Sequence, residues 1–187
     1  CYGEFTEAAE PVSCGADLIA GSLIKNPGGG LAPTGGYVAG SAALIERIAQ
    51  RLSVPGMGRE VGSYAGDYRP FYQGLFVAPH ISAQCVKAAA LFARVFERLG
   101  LATMPRSDAV RSDIIQAVRF QDADALVRFC RVIQQAAPVD SFVTPEPWDM
   151  PGYEDPVIMA AGTFVQGSTT ELSADGPIRA PYTAYVQ

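Results

Sequence analysis

The sequence holds one histidine, His80, one tryptophan, Trp148, and only two lysines, Lys25 and Lys87, against twelve arginines. A Ser-His-Asp triad or a multi-histidine metal site would therefore have to be built around His80 alone. Its place between Pro79 and a helical pattern points instead to a capping or packed histidine. The four cysteines, Cys1, Cys14, Cys85 and Cys130, contain no C-x-x-C pair. Neither a zinc site nor a disulfide framework is read from that spacing; free core thiols and a reducing, cytoplasmic setting fit it. A net charge of −5 and a pI near 4.8 exclude the clustered positive charge of a nucleic-acid footprint. No uninterrupted apolar run has bilayer-spanning length, and no basic segment followed by an apolar one marks a signal peptide, so no membrane partner is expected. The carboxylates have no metal-ligand spacing, and internal repeats, heptads and low-complexity segments are absent. The chain opens on Cys1 rather than Met, in what reads as mid-strand, and is expected to be part of a longer polypeptide.

What is present is apolar. Nearly half the residues, 49%, are hydrophobic, enough for a sizeable core rather than disorder. Residues 1–14 read as a strand end running into a loop. Residues 16–24 read as a buried strand, short and bounded by glycine. A short strand is expected at Tyr37-Val38-Ala39, then a helix from an N-cap at Ser41 through Leu52, with Leu44, Ile45, Ile48, Ala49 and Leu52 on one face. Val54–Tyr72 carries six Gly and Pro residues and reads as a long loop, in which Tyr64, Tyr68 or Tyr72 could line a cofactor or subunit interface. The longest helical pattern runs from Pro79 to Leu99, closed by Gly100. A strand at Ile114–Phe120, a helix at Asp122–Ala137 and short strands at Val157–Ala160, Thr163–Gln166 and Tyr182–Val186 follow. Turns are expected at Gly167-Ser168 and Asp175-Gly176-Pro177. Trp148 and Tyr153, among Glu146, Asp149, Glu154 and Asp155, read as a proline-ordered turn, with a border of the active-site mouth as the alternative.

The chemistry concentrates in Gly15–Gly36, GADLIAGSLIKNPGGGLAPTGG. An apolar strand runs into Lys25, and Asn26-Pro27 and three glycines follow. Burial of an ammonium lowers its pKa toward the neutral, nucleophilic amine, whereas a lysine that merely ends a strand snorkels to water. The glycines invite a phosphate-loop reading, but neither G-x-x-x-x-G-K-[ST] nor G-x-G-x-x-G is matched.

The spacing Gly15-Ala16-Asp17, four residues, Ser22, two residues, Lys25 resembles the lysine segment of fold-type-I pyridoxal-phosphate enzymes of the cystathionine and methionine lyase group. Ile24 stands where that group usually has threonine, and Asn26-Pro27-Gly28 replaces its aromatic and Gly-His continuation. The strings CYGEF, GSLIKNPGGGLAPTGGY, FYQGLFVAPH, VDSFVTPEPWDMPGYEDPVIMAAGTFVQGS and ELSADGPIR resemble the methionine gamma-lyase family proteins also labelled aluminium-resistance proteins. That resemblance extends over essentially the whole chain.

It implies an α/β chain that forms the C-terminal part of a fold-type-I (aspartate-aminotransferase-like) protein. Residues 1–77 would end the large cofactor-binding domain, whose N-terminal part is missing, and 78–187 would form a small α/β domain. It implies pyridoxal 5'-phosphate held by Lys25 as a Schiff base, Ser22 on the cofactor phosphate, and β- or γ-elimination from a sulfur-containing amino acid. The glycines would then bring backbone close to the anchored ring. The aspartate that pairs with the cofactor's ring nitrogen would lie just upstream of Cys1, so these 187 residues alone are expected to bind cofactor weakly. A homodimer or homotetramer is implied. For the substrate carboxylate, whose match is the planar guanidinium fork, Arg179 is the first candidate and Arg111 the second. Aldolase or aminotransferase chemistry on the same cofactor, and a non-catalytic stress-tolerance protein that keeps the fold, are the alternatives.

Overall fold

The computed structural model describes residues 3–165, 167–168 and 170–187. Two antiparallel sheets and three α-helices make up its regular structure. The first sheet is a hairpin of β1 (Leu18–Ser22) and β2 (Gly36–Gly40), in register Gly21↔Tyr37 and Ser22↔Gly36. The expected 16–24 strand is thus real but shorter: Leu23 and Ile24 turn out of it, and Lys25 precedes a 3-10 turn at Asn26–Gly28. Before the hairpin, the described residues form turns and a 3-10 helix at Pro11–Cys14, started by Pro11 and closed by left-handed Gly15, in place of the expected strand end. The N-terminal segment is tied down where the Glu4 carboxylate accepts the Tyr37 hydroxyl at 2.6 Å and the Glu4 carbonyl accepts Asn26 Nδ2 at 3.0 Å.

Helix α1 (Ala42–Leu52) begins after Ser41, as expected, although the Ser41 side chain makes no capping bond. Only Ala49 of its apolar face is buried within the chain. Helix α2 (Arg69–Arg98) corrects the sequence reading most. It is 30 residues long, starts ten residues before Pro79 and carries that proline inside. Its buried positions are small: Gly74, Ala78, Ser82, Ala89 and Ala93, a stripe at helical spacing that packs on the Asn26–Gly28 turn and on the second sheet. Large residues point away, with Tyr72, Phe76, Leu91 and Leu99 exposed. By length and composition α2 could cross a bilayer; its most apolar 18-residue window has a mean hydropathy of 1.4 and is 17% buried. Counting uninterrupted apolar runs missed this, because Pro79, His80 and Lys87 punctuate the helix without making it polar.

The second sheet has the order β3-β4-β7-β6-β5, all antiparallel: β3 (Ala102–Met104), β4 (Gln116–Arg119), β5 (Val157–Ala161), β6 (Ser173–Pro177) and β7 (Thr183–Val186). The meander expected of the tail is there. Two details differ: Asp175-Gly176-Pro177 is strand, not turn, and Thr163–Val165 is a bend. Gln166, the last residue of that expected strand, lies outside the described residues. Gly167 does take the left-handed turn conformation, at φ +77°. Helix α3 (Ala123–Ala136) is capped by Asp122, whose Oδ1 accepts the Ala125 N–H at 2.7 Å. One face of the sheet meets α3. Leu126, Cys130 and Ile133 pack against Ile158, Ala160, Ala174, Ala184 and Val186 in the main core. Burial pushes the Cys130 thiol up to about 12, so it is an inert packed group; Cys14, by contrast, is exposed.

The end of α2 is held to β3 by Glu97. Its carboxylate accepts Thr103 Oγ1 at 2.9 Å, and Ser107 N–H and Oγ–H at 2.8 and 2.6 Å. The two Ser107 bonds foremost hold the Glu97 carboxyl at about 2. A folded pKa below the unfolded one gives stability that is complete above about 4.5 and lost as pH falls toward 2. Thermal unfolding across that acid range should therefore show a steeper loss of Tm in the wild type than in Glu97→Gln. Parallel pH profiles for the two would refute the clamp.

Candidate active site at Lys25

Chain geometry sets Lys25 apart. It follows the β1 turn with φ −102° and ψ −151°, half-buried, and its Nζ donates to the Gly167 carbonyl at 2.8 Å. Ser22, also half-buried, ends β1 three residues earlier, and its Oγ accepts the Ile24 N–H at 3.2 Å. The glycine run has a different use from the one expected. A Cβ on Gly28 would stand 1.7 Å from the Leu23 carbonyl oxygen, and one on Gly29 would stand 2.4 Å from that of Gly74. These glycines let the turn press backbone to backbone against β1 and α2, and so fix where Lys25 points. That contact is between the chain and itself, not between the chain and a ligand.

The second part of the site is the sheet face opposite α3. Side chains alternate along strands and cross-strand partners share a face. Val157 and Met159 of β5 pair with Pro177 and Asp175 of β6, and Asp175 pairs with Tyr185 of β7. With the 150–155 loop, these residues line a cleft of about 570 Å³. Arg179 enters it just past the strand, where its N–H bonds the Pro177 carbonyl at 2.9 Å and its Nε meets Asp155 at 3.2 Å. Asp175 accepts Gln187 Nε2 at 3.0 Å. Burial raises the pKa of Asp175, against lowering by the Gln187 hydrogen bond and by the charge of Lys25. The sequence reading missed Asp175 by assigning it to a turn; strand alternation against Val157 and Met159 was the signal that could have found it.

The remaining candidates fall elsewhere. Arg111 is buried between α2 and β4, with Nη2 donating to Gln116 Oε1 at 2.6 Å and to the Ala89 carbonyl at 3.4 Å. The structure therefore brings Arg179, and not Arg111, into the cleft. His80 is exposed in the middle of α2 rather than at its start. Trp148 is fixed by a two-way backbone bridge to Val157, which supports the ordered-turn reading, and Tyr153 beyond it borders the Arg179 cleft. Tyr64, Tyr68 and Phe71 form an aromatic cluster; Tyr72 projects outward from α2. A second cleft of about 600 Å³, between α1 and the 53–68 loop, is lined mainly by apolar groups such as Ile45, Ile48 and Leu52, with Ser53, Ser63 and Tyr68 among its polar ones. Among the described residues, no group of His, Cys, Asp and Glu side chains could hold a metal ion.

Comparison with known proteins fits this geometry. The methionine gamma-lyase family profile matches residues 1–187. The chain belongs to the methionine gamma-lyase family. YnbB of Bacillus subtilis (strain 168) is 57% identical over all 187 residues, which make up 44% of that protein. A carbon-sulfur lyase involved in aluminium resistance from Clostridium novyi NT superposes with a TM-score of 0.93 at 58% identity, over the whole chain and 44% of its own. A candidate cystathionine beta-lyase involved in aluminium resistance from Clostridium acetobutylicum gives 0.94 at 54% identity, over the whole chain and 43% of its own. The chain thus spans less than half the length of these family members.

Proposed function

We propose that this chain carries the lysine and the substrate-side cleft of a pyridoxal-phosphate-dependent carbon–sulfur lyase of the methionine gamma-lyase family. In this reading, residues 1–77 end the large domain of a fold-type-I protein and 78–187 form its small domain, although α2 runs unbroken across 77 and 78. The observation that carries it is the placement of Lys25: a primary amine held between β1 and the buried Asn26–Gly28 turn, with the Ser22 hydroxyl in the same hairpin. That donor set fits an aldehyde cofactor with a phosphate arm. The amine matches the carbonyl carbon, and a serine hydroxyl is a group that suits a phosphate oxygen.

Pyridoxal phosphate, when bound, supplies an electron sink for negative charge developing at the substrate Cα. The protein's residues do the rest. Lys25 Nζ holds the cofactor, and once released it takes and returns the proton at Cα. Arg179 receives the substrate carboxylate; its pair with Asp155 is made through Nε, and a guanidinium has further donors on its terminal nitrogens. Val157, Met159 and Pro177 provide apolar surface for a thioether side chain and keep water off it. Activity belongs to the full-length polypeptide, with a soluble amino-acid substrate and self-association as its proposed partners.

Borohydride reduction of the full-length, cofactor-loaded polypeptide, followed by peptide mapping, should place the reduced cofactor on Lys25. A label on Lys87, or none at all, would defeat the proposal. Arg179→Ala should raise KM for an amino-acid substrate by about 10- to 100-fold, the scale of a lost charge-assisted pair. Its cofactor affinity should stay as it was. An unchanged KM would remove Arg179 from the substrate site.

A further inference from the structure

A carboxylate on an apolar sheet face is costly unless it has a use. Asp175 sits on such a face: its cross-strand neighbours are Met159 and Tyr185, and the next residue on its own strand side is Pro177. Among the described residues, its side chain accepts one hydrogen bond, from Gln187 Nε2 at 3.0 Å. A carboxylate offers about four lone-pair sites, so most of its acceptor capacity is not spent on that bond. The fold gives no reason for it, since the face packed on α3 is the opposite one, where Ala174 and Gly176 point.

Its surroundings give one. Asp175 and Arg179 line the same cleft with opposite charges; Glu154 and Asp155 of the 150–155 loop line it too, and Asp155 is already paired with Arg179 Nε at 3.2 Å. An α-amino acid at neutral pH presents the complementary pair, an ammonium and a carboxylate on one carbon. With the carboxylate on Arg179, its ammonium meets Asp175, the carboxylate of this cleft that lies on the sheet and is not paired with Arg179.

We propose that Asp175 is a specificity residue that receives the α-ammonium of the incoming substrate while Arg179 receives its carboxylate. This rests on the reading of Lys25 as the cofactor lysine. A cleft with Arg179 alone would accept any carboxylic acid with an apolar tail. With Asp175 added, it selects the zwitterion and disfavours the des-amino acid, whose binding leaves the carboxylate desolvated with no cation to meet it.

The test uses full-length polypeptide whose cofactor has been fixed to the lysine by borohydride, so that ligands bind without reacting. Affinities for L-methionine and for its des-amino analogue, 4-(methylthio)butanoate, are measured by calorimetry. Wild type should bind L-methionine at least about tenfold more tightly than the analogue, a difference of one charge-assisted hydrogen bond. Asp175→Asn, which keeps the shape and an acceptor for Gln187, should lose that preference while holding the analogue within about twofold. Should Asp175→Asn not fold, Asp175→Glu keeps the charge and must keep the preference. Equal affinities in wild type, or equal loss of both ligands in Asp175→Asn, would overturn the proposal. A reduced label absent from Lys25 would instead defeat the cofactor reading beneath it, so the two failures are told apart.

Discussion

Replacing Lys25 by alanine in the full-length polypeptide is expected to remove the visible absorbance of lysine-bound cofactor and to lower turnover about a thousandfold or more. That is the scale on which covalent nucleophiles count. The expectation comes from position. A lysine at a strand end normally extends into solvent at little cost; here the backbone on both sides is clamped. Before it, the β1–β2 register fixes Ser22 opposite Gly36. After it, the Asn26–Gly28 turn is buried, with Asn26 completely inaccessible. Lys25→Arg tests the chemistry more finely. It keeps charge and length but offers a guanidinium that does not condense with an aldehyde at neutral pH. Arginine at 25 should therefore be as inactive as alanine while holding the fold. Substantial turnover in either variant would mean that Lys25 is only a strand-end lysine.

The second large effect is expected at Gly74, far from Lys25 in sequence. A methyl group there would lie 2.1 Å from the Gly28 carbonyl oxygen and 2.8 Å from its carbon, so helix and turn would have to part. Helix propensity alone favours alanine over glycine by about 1 kcal/mol. Overpacking against backbone costs about 1–3 kcal/mol or more and should outweigh it. Gly74→Ala is thus expected to lower Tm by several degrees and to weaken cofactor retention, because the displaced turn begins at the residue after Lys25. Gln73→Ala, one exposed position earlier, serves as the control and should leave both unchanged. A rise in Tm for Gly74→Ala, as propensity by itself would give, would refute the close contact.

Local signals in the sequence located much of this. Ser41 and Asp122 mark the two shorter helices to within a residue, and the apolar spacing of Leu126, Cys130 and Ile133 marks the face that packs. The Gly15–Ser22–Lys25 spacing led to the family that the profile match shows. What escaped was set by tertiary packing. Pro79 reads as a helix start, yet α2 continues through it, because ten residues of helix before it are held by the Gly74 and Ala78 contacts. Gly28 and Gly29 are also required by contacts that no local pattern reports, since a side chain on either would meet the Leu23 or the Gly74 carbonyl. Asp175-Gly176-Pro177 has turn composition but lies in a strand, since Gly176 must clear Leu126 and the Thr183 carbonyl, and no local pattern reports that. Of the two arginines, only folding separates the one in the cleft from the one sealed behind Gln116.

Helix α2 has a mechanical consequence. It is about 45 Å long at 1.5 Å per residue. Near its start it grips the turn that aims Lys25, and near its end Glu97 clamps it to β3. Pro79 lies between the two grips and takes one hydrogen bond out of the helix. A twist applied at the β3 end would therefore be shared between that softened turn and the grip on the Lys25 side, rather than passed on whole.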